Sequence, residues 1–289
     1  MKRSVWMRAT TVCLAVCLCA LSLTACNTTE QKTDYTVTVQ SEGGMPLSDI
    51  GVFVYADEAH TDLVWAGHTD EKGVTAFTAT KATYYTVLKE VPLWYTVQAS
   101  YSLAEAQTVI ALKASLQEGG IADHTVSLGD MMCDFTVTAG DASVTSSTLA
   151  VDYTLSELLK TKKAVVLNFW FEGCGPCRAE FPYLENAYKQ YADDIEVLAI
   201  NPYDGTAQSV MTYAANLGLT FPVVKGGEEW QSFLKLNSYP TTVVIDRYGM
   251  IAMIHKGAVT EAGVFEKVFA HYTADDYVQQ TVRNLSELG

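Results

Sequence analysis

Polar and apolar residues alternate with period two along Tyr35–Gln40 (YTVTVQ), the signature of a strand with one face buried. Short runs of the same kind recur at Gly51–Tyr55, Val74–Phe77, Tyr84–Leu88, Leu93–Val97 and Thr108–Leu112. They are separated by turn signals such as Gly43-Gly44-Met45-Pro46 and Asp70-Glu71-Lys72-Gly73. This spacing predicts an all-β sandwich over residues 35–116. Gln117-Glu118-Gly119-Gly120 opens a linker over 117–124, and from 125 to 289 the pattern changes to strands alternating with helices.

In that second region Asp134–Thr138 reads as a strand, and Thr154-Leu155-Ser156-Glu157 as a capping box opening a helix to Lys160. Val165–Trp170 (VVLNFW) is nearly all apolar, as a strand buried on both faces would be. A helix is predicted from about Cys174 to Tyr191, kinked by Pro182. Then come a strand at Ile195–Ile200, a helix at Thr206–Leu217 closed by Gly218, and a short helix at Glu228–Leu236. A hairpin follows, Thr241–Asp246 with Met250–His255, and helices at Thr260–Tyr272 and Ala274–Leu288 end the chain. The fold class is therefore α/β with an N-terminal all-β domain.

The N-terminus has its own pattern. Lys2, Arg3 and Arg8 precede an apolar stretch from Ala9 to Ala25, as in a signal peptide. Leu23-Thr24-Ala25-Cys26 resembles the bacterial lipobox, which implies cleavage before Cys26 and lipidation of its thiol. Residues 1–26 are then the signal region and 27–34 (NTTEQKTD) a polar tether reaching about 28 Å when extended. An extracytoplasmic location on the outer face of the cytoplasmic membrane follows from that resemblance.

Net charge is −14, with 33 acidic against 19 basic residues, and no Lys/Arg cluster forms a basic face. That balance excludes a nucleic-acid partner and electrostatic docking on anionic lipid. Of seven cysteines, Cys13, Cys17 and Cys19 fall in the signal region. Beyond Cys26, only Cys133, Cys174 and Cys177 remain, too few for a disulfide-stapled scaffold. A single CxxC without a second pair also lacks the four ligands of a zinc site, so no metal and no cofactor are expected.

Cys174-Gly175-Pro176-Cys177 stands between the buried strand and the predicted helix. Unpaired N–H groups and the positive dipole end of a helix start stabilise a thiolate on the first cysteine. Lowering a thiol pKa from about 8.5 to about 7 takes only ~2 kcal/mol. Pro176 suits the first turn because the N–H it lacks had no partner there. Cys174 is expected to be the exposed nucleophile and Cys177 the buried thiol that resolves a mixed disulfide.

The segment Asn168–Pro182 (NFWFEGCGPCRAEFP) resembles the thioredoxin superfamily, in its membrane-anchored TlpA-like and ResA-like branch. The resemblance extends over about 160 residues, with Met132-Cys133-Asp134-Phe135 in place of the family's A-P-D-F and Ser238–Asp246 (SYPTTVVID) in place of its G-x-P-T-T-F-x-I-D. It implies a thioredoxin-like fold and a thiol–disulfide oxidoreductase acting on protein thiols and disulfides. It also implies a cis Pro240 abutting the disulfide, with Gly175, Pro176, Tyr239 and Trp170 meeting the substrate. Glu180 matches an acid that tunes the thiols and shuttles a proton, and a membrane electron donor of the CcdA/DsbD type is implied as partner.

The chain departs from the family in having Gly173 where a Trp usually precedes the first cysteine, and Glu172 before it opposes thiolate formation. Cys133 replaces a proline and reads as an inert buried thiol; His255 and His271 read as solvent-facing. The Gly-Pro dipeptide favours reductase over oxidase. The Asp134-Phe135 pair leaves a peroxiredoxin-like peroxidase as one alternative, and a non-enzymatic surface binding lipoprotein is the other. The N-terminal pattern around Gly44-Met45-Pro46-Leu47 and Thr69–Gly73 resembles prealbumin-like Cna B-type and carboxypeptidase-regulatory sandwiches.

Overall fold

A computed structural model describes residues 31–140 and 150–288. The expected signal region, Cys26 and residues 27–30 of the expected tether lie outside the described residues.

The N-terminal strands are β1 (Lys32–Ser41), β2 (Gly51–Tyr55), β3 (Leu63–His68), β4 (Val74–Thr80), β5 (Tyr84–Lys89), β6 (Tyr95–Thr96), β7 (Tyr101–Leu103) and β8 (Gln107–Ala114). They form two four-stranded sheets, ordered β4-β1-β8-β6 and β3-β2-β5-β7. Alternation sends Tyr35, Val37 and Val39 inward to meet Phe77, Ile110 and Leu112, while the residues between them stay at the surface. Tyr35 stacks on Phe77 at 5.0 Å between ring centres, and Trp65 stacks on the same ring at 5.5 Å.

Strand β1 starts three residues inside the expected tether, because Lys32–Asp34 pair with Thr78–Thr80. Strands β3 and β7 escaped the sequence reading: β3 shows no clean alternation, and β7 has only three residues. The expected strand at Leu93–Val97 shrinks to Tyr95–Thr96, since Tyr95 N–H turns back to the Pro92 carbonyl at 3.0 Å.

The C-terminal strands are β9 (Thr136–Gly140), β10 (Ala150–Thr154), β11 (Ala164–Phe169), β12 (Ile195–Asn201), β13 (Val223–Lys225), β14 (Thr241–Asp246) and β15 (Ile251–Lys256). They build one mixed sheet in the order β10-β9-β13-β12-β11-β14-β15. All six residues of β11 are buried, as its apolar run predicts. The helices are α1 (Leu155–Leu158), α2 (Gly175–Tyr191), α3 (Ala207–Asn216), α4 (Glu229–Phe233) and α5 (Val264–Thr273). Period two divides β11 between the sheet's faces. Ala164 and Val166 pack with Cys177, Phe181 and Leu184 of α2 and Phe265 of α5. Val165, Leu167 and Phe169 pack with Trp230 and Phe233 of α4. This is a thioredoxin-like α/β fold with an additional β domain before it.

Two local readings are corrected. The capping box at Thr154 does not form: Thr154 Oγ1 bonds Thr136 Oγ1 at 2.8 Å instead. Asp134 does the capping, accepting the Ser156 N–H at 3.0 Å and the Ser156 hydroxyl at 2.6 Å. The helix expected at Ala274–Leu288 is extended chain with a single 3₁₀ turn at Leu285–Leu288. Its backbone bonds go elsewhere: Gln279 N–H to the Gly43 carbonyl at 2.8 Å and Val282 N–H to the Ala252 carbonyl at 2.8 Å. These partners and the burial of Tyr277 and Val282 outweigh local helix propensity.

Candidate redox site

The end of β11 delivers the chain into Trp170-Phe171-Glu172-Gly173 and then into α2. Cys174 is the N-cap of α2, and its Sγ accepts the Cys177 N–H at 3.1 Å. One orphan donor of the helix's first turn, the Cys177 N–H, therefore points at this sulfur, where it stabilises a thiolate once the bond is reduced. Cys174 and Cys177 are joined by a disulfide with Cα atoms 5.3 Å apart. Gly175 and Pro176 lie exposed between them.

The two sulfurs differ less in exposure than expected. Cys177 is fully buried, but Cys174 is only 3% exposed in the disulfide form, so it is not an open thiol. The bond to Cys177 and the Cys177 N–H together hold its sulfur against the first turn.

The Tyr239–Pro240 peptide is cis. Thr241 pairs with Phe169 across β14 and β11, which sets Pro240 level with Trp170, where the cysteine loop leaves the sheet. Tyr239 is half-buried, with its ring edge-on to Phe171 at 5.6 Å and to Tyr203 at 5.3 Å. Phe171 meets Tyr203 at 5.8 Å, closing a three-ring cluster. Trp170, expected to touch substrate, is instead wholly buried between Phe181 and Tyr213. It belongs to the floor of the site.

Glu180 is fully buried on α2, three residues after Cys177 on the same face. Its Oε1 accepts the Asn168 Nδ2–H at 2.7 Å and its Oε2 accepts the Val259 N–H at 2.8 Å. Burial pushes this carboxyl up to about 7, against the pull of both donors. Asn168 also donates to Thr242 Oγ1 at 3.0 Å, and its Oδ1 is buried without a partner. Asn168 and Thr242 are directly opposite each other in the β11–β14 ladder, so one register places both beneath Glu180. Sequence reasoning missed Asn168, Thr242 and Val259. The available signal was Asn168 itself, a polar residue inside an otherwise apolar strand.

The loop before Cys174 is pinned by residues also missed. Asp204 accepts the Glu172 N–H at 2.6 Å and the Asn201 Nδ2–H at 2.7 Å, and the Tyr213 hydroxyl donates to the Glu172 carbonyl at 2.8 Å. Elsewhere, burial pushes the Cys133 thiol up to about 11, and the Asp134 and Asp123 carboxylates add to it, which keeps it protonated. His255 and His271 are half-buried rather than solvent-facing, and burial lowers the pKa of each. His271 packs edge-on to Tyr272 and Tyr277 at 4.9 and 5.6 Å. Among the described residues, no cluster of His, Cys, Asp and Glu could hold a metal ion, and no helix is long and apolar enough to cross a membrane.

Residues 128–269 match the Redoxin family. Thiol-disulfide oxidoreductase ResA of Oceanobacillus iheyensis is 37% identical over 158 residues, which cover 54% of this chain and 77% of that protein. The chain belongs to the TlpA/ResA-like branch of the thioredoxin superfamily, a branch of thiol–disulfide oxidoreductases. Thioredoxin-like protein YneN of Bacillus subtilis is 36% identical over 108 residues, 37% of this chain, and the chain spans 64% of YneN. The solved structure of StoA from Bacillus subtilis overlays with a TM-score of 0.37 at 20% identity, covering 49% of this chain and 97% of that one. The Redoxin match begins at residue 128, so the N-terminal sandwich lies outside it.

Proposed function

We propose that the chain is an extracytoplasmic, lipid-anchored reductase of protein disulfides. The observation that carries this reading is one constellation: a Cys174–Cys177 disulfide at the start of α2, level with a cis Pro240 and above the buried Glu180.

The reduced pair acts in two displacements. The Cys174 thiolate attacks one sulfur of a substrate disulfide; that S–S bond breaks, and the departing sulfur takes up a proton. Cys177 then loses its proton and attacks Cys174 Sγ, which restores the disulfide seen here and releases the second substrate thiol. Two electrons pass to the substrate. Glu180, with its carboxyl held near neutral pH, is placed to accept the Cys177 proton. Gly175, Pro176 and the backbone of Tyr239 form the surface that meets the substrate. The resulting disulfide is returned to the dithiol by a membrane donor of the CcdA/DsbD type.

The Gly-Pro dipeptide supports the reducing direction, and each ~30 mV by which the pair is the stronger reductant, ~1.4 kcal/mol for two electrons, shifts the exchange about tenfold toward reduced substrate. The Leu23–Cys26 segment supports the lipid anchor and the extracytoplasmic side. Turnover of oxidised insulin with excess dithiol tests the scheme: wild type accelerates the reduction and Cys174→Ser does not. Equal acceleration by both proteins refutes it.

A further inference from the structure

The contacts joining the sandwich to the redoxin domain gather at one end of each. On the sandwich they involve the segment after β1, β6 and the end of β8. Gly43 accepts the Gln279 N–H at 2.8 Å, and Gln117 N–H reaches the Met132 carbonyl at 2.9 Å. Leu116 lies directly over Gly249, where an added Cβ would come within 2.6 Å of it. Tyr95, on β6, is close enough to Asp246 for that carboxylate to raise its pKa.

On the redoxin side the partners are the β14–β15 turn and the strap at Gln279. Register fixes where that turn lies: Asp246 pairs with Ala164, at the start of β11, whereas Thr241 pairs with Phe169, next to the cysteine loop. The joint and the disulfide are therefore at opposite ends of the sheet, a six-residue strand of about 20 Å apart. The sandwich repeats the arrangement. Ser41 of β1 is beside the joint, and Lys32 is at the far end of a ten-residue strand of about 33 Å. The joint itself is packed: Met131, Asp246 and Gln279 are at most 1% exposed, and one apolar cluster runs from Tyr35 through Met131 to the α2 face.

Resting on the reading that Cys26 carries the membrane anchor, we infer that the sandwich is a rigid strut that holds the Cys174–Cys177 disulfide at the membrane-distal pole. Its redox partners, the membrane donor included, carry their dithiols and disulfides on protein segments raised from the bilayer, and a dithiol lying at the lipid surface does not reach it. The five residues Asn27–Gln31 extend about 17 Å at most, too little to invert a sandwich whose strand β1 alone is about 33 Å long. The excess of 33 acidic over 19 basic residues keeps it from lying flat on anionic lipid.

Height can be read without activity, so its failure is separable from failure of the redox assignment. The chain from Asn27 onward is held on anionic vesicles by an N-terminal hexahistidine on a nickel-chelating lipid, which also removes dependence on Cys26. A donor dye is placed by Lys32→Cys or by Gly175→Cys, each in a Cys174→Ser/Cys177→Ser background, with an acceptor dye on the lipid headgroups. Energy transfer from position 32 is expected to exceed that from position 175 several-fold; equal transfer overturns the inference. The unsubstituted chain gives a second readout. Dithiothreitol is expected to reduce its disulfide equally fast on and off the vesicle, while a dithiol borne on a lipid headgroup is slower on the same vesicle by tenfold or more. Comparable rates for the two reductants on the vesicle also overturn it.

Discussion

Asn168 donates its side-chain N–H to Glu180 at 2.7 Å beneath the disulfide, and the same Asn keeps a buried Oδ1 without a partner. A protonated Glu180 has a hydrogen to place, and rotation of the Asn168 amide supplies the acceptor. The pair is thus compatible with either protonation state of the acid. With its carboxyl near 7, exchange through Cys177 is expected to show an inflection near neutral pH that Glu180→Gln removes. Rates of mixed-disulfide resolution between pH 5 and 9 check this.

The same shift acts on stability. Glu180 rises from 4.5 to about 7 on folding, and Asp246, buried against the Tyr277 hydroxyl, rises from 3.8 to about 6. In each case the folded chain holds a proton that the unfolded chain has released, so the contribution of these two groups to stability is full below about pH 4 and is lost as pH climbs to about 7. For Glu180 the shift corresponds to a loss of order 3 kcal/mol. Urea unfolding at pH 4.5 and 7.5 is expected to show a smaller difference for Glu180→Gln than for wild type.

Trp170→Ala is expected to lower the unfolding free energy by about 3–5 kcal/mol, because it empties the space between Phe181 and Tyr213. Denaturant unfolding measures it. A loss below ~1 kcal/mol would show that the ring is not part of the floor.

Asp134→Ala is expected to cost about 1 kcal/mol through loss of the cap on Ser156. Thr154→Ala, at the position that sequence pattern marks as the cap, is expected to cost less. Comparing the two variants by thermal unfolding decides which residue starts α1.

Gly43→Val tests the joint. An added Cβ would fall 2.6 Å from both Gln279 Cβ and the Tyr248 ring, so the strap must shift at a cost of about 1–3 kcal/mol. Faster proteolysis near Gln117–Gly120 is expected, with reduction of the disulfide by dithiothreitol unchanged.

The parts of this molecule legible in the sequence are those written in local pattern. The apolar run of β11, the Cys-Gly-Pro-Cys start of α2 and the Thr241–Asp246 strand stand within a residue or two of their expected places. Pro240 was legible through family resemblance, and its cis peptide agrees with that expectation. The cage around Glu180 was not legible, because it depends on Asn168 facing Thr242 across a ladder between residues 74 positions apart. The tail after α5 misled for a related reason: its bonds to Gly43 and Ala252 exist only once two domains and a sheet edge have come together. Burial of Cys174 and Trp170 likewise comes from what packs over them, which local spacing does not encode.

The most direct test is to mix reduced Cys177→Ser with an oxidised protein substrate and identify the cross-linked species by mass spectrometry. The account predicts a stable one-to-one adduct through Cys174, with none formed by Cys174→Ser. An adduct through Cys133, or undiminished substrate reduction by Cys174→Ser, would contradict it.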